Sequence, residues 1–284
     1  MRVLAPQNVY LTKVHQMPRA NRYFIPGQIW HITHRCHKKA FLLKFAKDRR
    51  RWLQWLFQAK KKYGLRILNY ALTSSHIHLL VMDGLRQSII PASMDLVSGR
   101  VAQEFNLRKK RSGAFWQDRY HATAVEDGEH LKNCMVYIDL NMVRAGVVGH
   151  PREWPHCGYN EICSSRRRYS LIHWSSLLRA VGDMDRDDLR QSYPDWIDER
   201  LKKWGLLRDG RWTESVAVGS KEFVEATKRA LATRVKRRKI EESEVQIGPI
   251  EFVLREATGA YKGVFGHKKC ILMEKKAIKR DLSC

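Results

Sequence analysis

The stretch that most constrains this fold runs from Asn69 to Met82, Asn-Tyr-Ala-Leu-Thr-Ser-Ser-His-Ile-His-Leu-Leu-Val-Met. Two apolar-rich runs of strand length flank the polar break Thr73-Ser74-Ser75. So short a break leaves the chain little choice but to double back, which predicts an antiparallel hairpin. Along the second strand, alternate side chains share a face. His76 and His78 therefore point one way, while Ile77, Leu79 and Val81 point the other. Two imidazoles on one face, roughly 6–7 Å apart at Cα, can grip one ion between them. An isolated His-x-His is more often an ordinary pair of strand histidines. A second stretch changes that balance.

That stretch runs from Gly128 to Gly146. Leu131, Met135, Ile138 and Met142 recur at helical spacing and form a core face. Gly146 is a natural stop, and Arg144 complements the last turn. Tyr137, Asn141 and Arg144 fall at i, i+4 and i+7 and make a separate polar stripe. Taken alone, the tyrosine reads as a half-buried packing residue and the asparagine as a helix-end residue.

Together the two stretches resemble a known family. His76-Ile77-His78 is similar to the His-hydrophobic-His ("HUH") motif of single-strand DNA transposases. Tyr137-Ile138-Asp139-Leu140-Asn141-Met142-Val143-Arg144-Ala145-Gly146 resembles the tyrosine helix of their REP-associated branch. Phe115-Trp116-Gln117-Asp118-Arg119-Tyr120-His121 is similar to the Trp-Gln-x-Arg segment, and Trp30-His31-Ile32-Thr33-His34-Arg35 to the first strand. Four segments match in order across about residues 22–160. Two steps differ: Thr73-Ser74-Ser75 stands where the family usually has Pro-Asn, and Met142 where it has proline after the asparagine.

Charge points the same way. Lys and Arg number 53 against 29 Asp and Glu, a formal charge of +24 over 284 residues. An imbalance this large favours a polyanionic partner, most simply nucleic acid. An anionic membrane is the competing partner, but no apolar run has the length of a spanning helix and no signal peptide is evident. The expectation is a cytoplasmic, nucleoid-associated protein. Six scattered cysteines include no Cys-x-x-Cys pair, which predicts reduced thiols and neither a zinc ribbon nor a disulfide framework. A hydrophobic share of 44% suffices for a core.

In chain order, residues 1–21 read as an N-terminal arm. A first strand follows within Tyr23 to Arg35. His31 and His34 lie on opposite faces of it, so they cannot both join His76 and His78. Helices are predicted at Lys47 to Tyr63 and Ile89 to Leu107, with Arg49, Arg50 and Arg51 on the solvated side of the first. Strands are predicted at Leu65 to Leu72, His76 to Met82 and Tyr120 to Val125. This order makes a ferredoxin-like (RRM-like) α+β fold, an antiparallel sheet with helices on one face, and the resemblance implies the same fold. Residues 22–160 form the catalytic domain in this reading. Residues 161–284 form a basic, mostly helical extension that could add DNA binding. There Trp174 to Trp204 has an amphipathic helical pattern, Ser220 caps a helix, and Glu251 to Cys284 reads as a small helical module. Basic runs at Lys109-Lys110-Arg111, Arg166-Arg167-Arg168 and Arg237-Arg238 are candidates for phosphate contacts.

The resemblance implies that Tyr137 is the nucleophile and that His76, His78 and Asn141 hold a divalent cation. Imidazoles with an amide oxygen and water suit Mg²⁺ or Mn²⁺. Arg119 and His121 are placed near the mouth of the site, with structural roles equally open, and Arg144 shares the tyrosine stripe. The function implied is cleavage and rejoining of single-stranded DNA at hairpin-forming repeats through a 5′-phosphotyrosine intermediate. Relatives work as dimers, and a homodimer stays open here. The alternative is a non-catalytic nucleic-acid-binding or regulatory protein on the same fold. A replication initiator or relaxase of the wider HUH class fits the order of motifs less well, and an RNA-recognition sheet lacks its aromatic strand signature.

Overall fold

The computed structural model describes residues 25–84, 86–164, 170–204, 209–232, 238–243 and 251–256. Strand β1 (Ile29–Arg35) leads to helix α1 (Ala46–Tyr63), hairpin strands β2 (Arg66–Leu72) and β3 (His76–Met82), helix α2 (Ile89–Arg108) and strand β4 (His121–Val125). Helix α3 (Glu129–Asp139) is continued past Leu140 by the single turn α4 (Asn141–Arg144). There follow α5 (Tyr159–Ile162), α6 (Trp174–Ala180), α7 (Arg186–Trp204), α8 (Arg211–Glu214), β5 (Ala217–Gly219), α9 (Lys221–Leu231), β6 (Arg238–Glu242) and β7 (Phe252–Glu256). No helix among the described residues is long and apolar enough to cross a membrane.

The expected α+β class and antiparallel core are present. β3 pairs with β1 and β2, and β1 with β4, all antiparallel. The hairpin is closed by Thr73, whose Oγ1 accepts from the backbone N–H groups of Ser75 and His76 at 3.2 and 3.0 Å. A hydroxyl acceptor at this position holds a tight turn without proline. Gly64, at φ 72°, ends α1 in the left-handed conformation that glycine adopts without strain. Register shifts between Ile67 and Asn69 in β2. Asn69 then reaches α3, donating to Asp139 Oδ2 at 3.2 Å.

The sheet is covered on both faces. His34 on β1 meets α2, its Nδ1 3.3 Å from Ser98 Oγ, and stacks on Trp116 at 4.1 Å. His31, on the opposite face, meets Trp212 of α8 and His78 of β3. α1 and α2 make the expected layer, while α3, α4 and α8 make a second. Apolar and polar positions of β1 are buried alike, which is the mark of a strand sandwiched between two layers. One expectation about α1 is overturned: Arg49 is buried rather than solvated. Its Nη1 donates to the carbonyls of Leu43 and Lys44 at 2.8 and 2.6 Å, and its guanidinium lies over Trp154. These acceptors satisfy a charge that would otherwise be costly to bury.

The C-terminal region continues the same sheet. β5 joins β4 in parallel, β7 joins β5, and β6 closes the edge, in the order β2-β3-β1-β4-β5-β7-β6. Phe252–Glu256, expected within a helical module, is therefore a strand. Its backbone pairs with both β5 and β6, so sheet hydrogen bonds replace helical ones. Ser220 caps α9 as expected, accepting from the Phe223 N–H at 3.2 Å. The N-terminal arm, Arg166, Arg167, Arg168, Arg237 and residues 257–284 lie outside the described residues.

A buried acid at the end of the tyrosine helix gives a stability prediction. Asp139 is 2% exposed and accepts from the Tyr193 hydroxyl at 2.5 Å and the Asn69 amide. Burial raises its carboxyl from 3.8 to about 7, against the hydrogen bonds that oppose the rise. The folded chain thus holds a proton that the unfolded chain releases near pH 4. This contribution is complete below pH 3.8 and is lost as pH rises through about 7. It amounts to about 4 kcal/mol on linkage. Urea titrations from pH 4 to 8 should show stability falling from this source. Asp139→Asn should flatten that fall, and an unchanged slope would refute the assignment.

Candidate active site

β3 brings His76 and His78 to the face covered by α3 and α4, as alternation requires. His78 is 2% exposed, and its ring centroid lies 5.0 Å from that of His76. His76, at the strand end, is partly exposed. Its Nδ1 lies 3.0 Å from Thr73 Oγ1 and 3.1 Å from Ser75 Oγ, so the turn hydroxyls orient the ring. His78 Nδ1 lies 2.9 Å from His31 Nε2, and His31 Nδ1 lies 2.9 Å from the Trp212 carbonyl. Burial pushes His31 down to about 3 and His78 well below the ordinary histidine range, with neighbouring His76 adding to the effect on His78. Both rings are neutral at physiological pH, the form that ligates metal.

The helix stripe arrives over this pair. The Asn141 amide nitrogen lies 2.9 Å from His78 Nε2. The Tyr137 ring stands edge-on to His78 at 5.9 Å and to His31 at 6.2 Å. The Arg144 guanidinium lies 4.2 Å from the centre of the Tyr137 ring, and its Nη2 donates to the Tyr137 carbonyl at 2.6 Å. Trp212 covers the tyrosine from another side at 6.2 Å, and Tyr137 is 5% exposed. Four residues from two sequence stretches thus come together, His78 and Tyr137 buried and His76 and Asn141 partly exposed.

Their chemistry fits a hard divalent cation. Among the described residues, no three His, Cys, Asp or Glu side chains are grouped to hold an ion. The donor set here is two imidazoles and an amide. Adjacent donors bound at ~2.1 Å to one octahedral ion sit ~3 Å apart. The Asn141–His78 separation of 2.9 Å has that value. Turning the Asn141 amide over puts its oxygen, the ligating atom, in place of the nitrogen.

The other expected residues divide. His121 lies on the site face of β4, its Nε2 2.9 Å from the Ser215 carbonyl and 3.2 Å from Thr123 Oγ1, so it ties β4 to the segment after α8. Arg119 is exposed before β4, and among the described residues no contact joins it to the histidines. Arg111 is held within its own loop, donating to Asn106 Oδ1 and the Ala114 carbonyl. Lys109 lies over the Phe45 ring at 5.4 Å, and Lys110 is exposed. This basic turn belongs to the α1/α2 layer, at the sheet end where Arg35 pairs with His76. Arg238 sits on edge strand β6.

Three residues of the site were not singled out from sequence: His31, Arg35 and Trp212. Arg35 alternates with His31 and Thr33 and sits directly opposite His76. The alternation was visible, but only the β1–β3 register shows which face it joins. Trp212 carries no local signal.

The family model of IS200-like transposases matches residues 26–141, which span β1 to the start of α4 and include His76, His78, Tyr137 and Asn141. No curated protein matches the chain. Two solved structures are similar at a distance. One, a REP-associated tyrosine transposase bound to a REP hairpin, is 18% identical, with 51% of this chain and 84% of that chain covered at a TM-score of 0.43. The other, a candidate transposase from Deinococcus radiodurans R1, is 15% identical, with 45% and 95% covered at a TM-score of 0.31. The histidine strand and the tyrosine helix both lie inside the segment that is similar to the IS200-like transposases.

Proposed function

We propose that the chain is a divalent-metal-dependent transposase that cleaves and rejoins single-stranded DNA at hairpin-forming repeats. The observation that carries this reading is the pairing, on facing elements, of Tyr137 with His78 at 5.9 Å and of Asn141 with the same histidine at 2.9 Å. This closeness supports a reading in which Tyr137 is the nucleophile and the histidines with Asn141 are the ligand set.

His76, His78 and Asn141 hold Mg²⁺ or Mn²⁺ in this reading. A cation bound there supplies Lewis-acid polarisation of the scissile phosphodiester and offsets charge growing on its oxygens. Tyr137 gives up its proton, and its oxygen forms the new bond to phosphorus. The bond from phosphorus to the 3′ oxygen breaks, and that oxygen leaves as a hydroxyl after taking a proton. The 5′ phosphate stays on Tyr137 as an ester. Because the ester conserves the bond, the reverse attack by a 3′ hydroxyl rejoins strands without a nucleotide cofactor. Arg144, over the tyrosine ring, can offset negative charge that grows on the phosphate during attack. Arg35 lies where it can hold a phosphate oxygen. Substrate reaches Tyr137 when the cover of Arg144 and Trp212 moves. Lys109, Lys110 and Arg238 add backbone affinity at the periphery. All four central residues come from one chain, so the chemistry does not require a homodimer.

The test is incubation of labelled single-stranded hairpin DNA with the full chain and Mg²⁺ or Mn²⁺. Cleavage should stop with chelator and return when either ion is added back in excess. His78→Ala should remain inactive after the ion is restored. Hairpin binding with no cleavage under any of these conditions would favour a non-catalytic binder. Arg144→Gln should slow cleavage by roughly tenfold or more, since it removes a cation that can offset charge in the transition state. Equal rates for the variant and wild type would remove Arg144 from the mechanism.

A further inference from the structure

We propose that His31 is a positioning residue of this site, fixing the tautomer and the orientation of His78 through a relay that begins at the Trp212 carbonyl. This rests on the reading of His78 as an ion ligand, and the relay on hydrogen-bond geometry together with the complete burial of both rings, which favours their neutral form.

A backbone carbonyl only accepts. At 2.9 Å from the Trp212 carbonyl, His31 Nδ1 must therefore carry the proton. A neutral imidazole has one N–H, so His31 Nε2 presents a lone pair. That lone pair lies 2.9 Å from His78 Nδ1, which must be the donor. His78 Nε2 is then left unprotonated, and it is the nitrogen that faces Asn141 at 2.9 Å. The nitrogen aimed at the Asn141 side is thus the one with a free lone pair to ligate. The two histidine rings lie nearly parallel, 13° apart, which holds the His78 ring plane as well as its tautomer.

The source of the relay is local. α8 is a single turn, Arg211–Glu214, and the Val216 N–H that a longer helix would send to the Trp212 carbonyl goes to Leu254 of β7. The carbonyl stays available to the sheet, where His31 Nδ1 of β1 and Thr123 Oγ1 of β4 both approach it. A segment beyond residues 26–141 therefore orders a ligand inside that segment. Outer partners of this kind typically change metal affinity 10–100-fold.

The test uses the full chain with two substitutions. His31→Leu fills the space without an acceptor. His31→Gln keeps one donor for the carbonyl and one acceptor for His78. Nitrogen-15 NMR of the imidazoles reads the tautomer, and titration with Mn²⁺ alone reads the site. Wild type should show His78 protonated at Nδ1. His31→Leu should give mixed His78 tautomers and Mn²⁺ affinity lower by roughly 10–100-fold in the folded chain. His31→Gln should restore both to within a few-fold. His78 protonated at Nε2 in wild type, or unaltered in His31→Leu, would overturn the relay. If His31→Leu does not fold, the wild-type tautomer and His31→Gln decide. Should wild type show the expected tautomer yet bind no Mn²⁺, the relay stands and the ion reading of His78 falls.

Discussion

Tyr137→Phe is expected to abolish the covalent protein–DNA adduct and reduce cleavage by at least a thousandfold, while hairpin binding stays within a few-fold of wild type. The substitution removes one oxygen. The ring keeps its edge-on contacts with His78 and His31 and its place beneath Arg144. The fold and the ligand set should therefore survive, and the lost activity reads the nucleophile itself. No neighbouring group offers an easy replacement. The nearby imidazoles are committed to each other and to Asn141, and the nearest thiol on the same helix, Cys134, is fully buried with its ionisation pushed up. A denaturing gel of labelled hairpin DNA separates the outcomes. Cleavage that persists without an adduct would mean that water attacks directly, and the tyrosine would then be a packing residue. Loss of binding together with cleavage would mean that the hydroxyl is needed for the architecture.

The second large effect concerns stability. Arg211 is 1% exposed and lies between two carboxylates. Its Nε donates to Asp209 Oδ2 at 2.6 Å, and its Nη1 pairs with Glu251. Glu251 in turn meets His130 Nδ1 at 3.2 Å, and His130 Nε2 meets Glu126 at 3.3 Å. Glu126 holds the start of α9 through Ser220. One buried network therefore fastens the C-terminal strands to the end of β4 and the beginning of α3. Arg211→Met is expected to destabilise the chain by about 3–5 kcal/mol, because two carboxylates remain buried with their cation gone. Adding Glu251→Gln should recover part of that loss, since it removes one of the stranded charges. A single-variant cost below about 1 kcal/mol in urea unfolding would mean that solvent reaches the network. The variant should also weaken the site, because Arg211 opens α8 and the next residue supplies the carbonyl that His31 uses.

Much of the first half of the chain was legible because its signals are local. The hairpin reads from one polar break between two apolar runs, and β3 spans His76–Met82 as its alternation predicts. The stripe of Tyr137, Asn141 and Arg144 follows from helical spacing, and a break at Leu140 leaves these side chains together. Where signals were short or distant, the reading failed. β5 is three residues long, too short for a period of two to register. Phe252–Glu256 carries apolar residues that suit a helix as well as a strand, and only the available edge of β5 decides between them. Arg49 looks solvated on a helical wheel, yet the carbonyls of Leu43 and Lys44 draw it inward.

The sequence by itself determined the chemistry on offer: two histidines on one strand face, a tyrosine and an asparagine one helical turn apart, and a charge of +24 suited to nucleic acid. Spacing along a regular element is enough for that, since strand and helix geometry fix which neighbours share a face. The tertiary structure decided what this chemistry is aimed at. It set the register that places Arg35 opposite His76, the second helical layer that brings Asn141 to His78, and the turn at Trp212 that directs a carbonyl at His31. Each of these is a contact between residues far apart in the chain. Its geometry depends on how whole elements pack, which no local pattern of residues encodes.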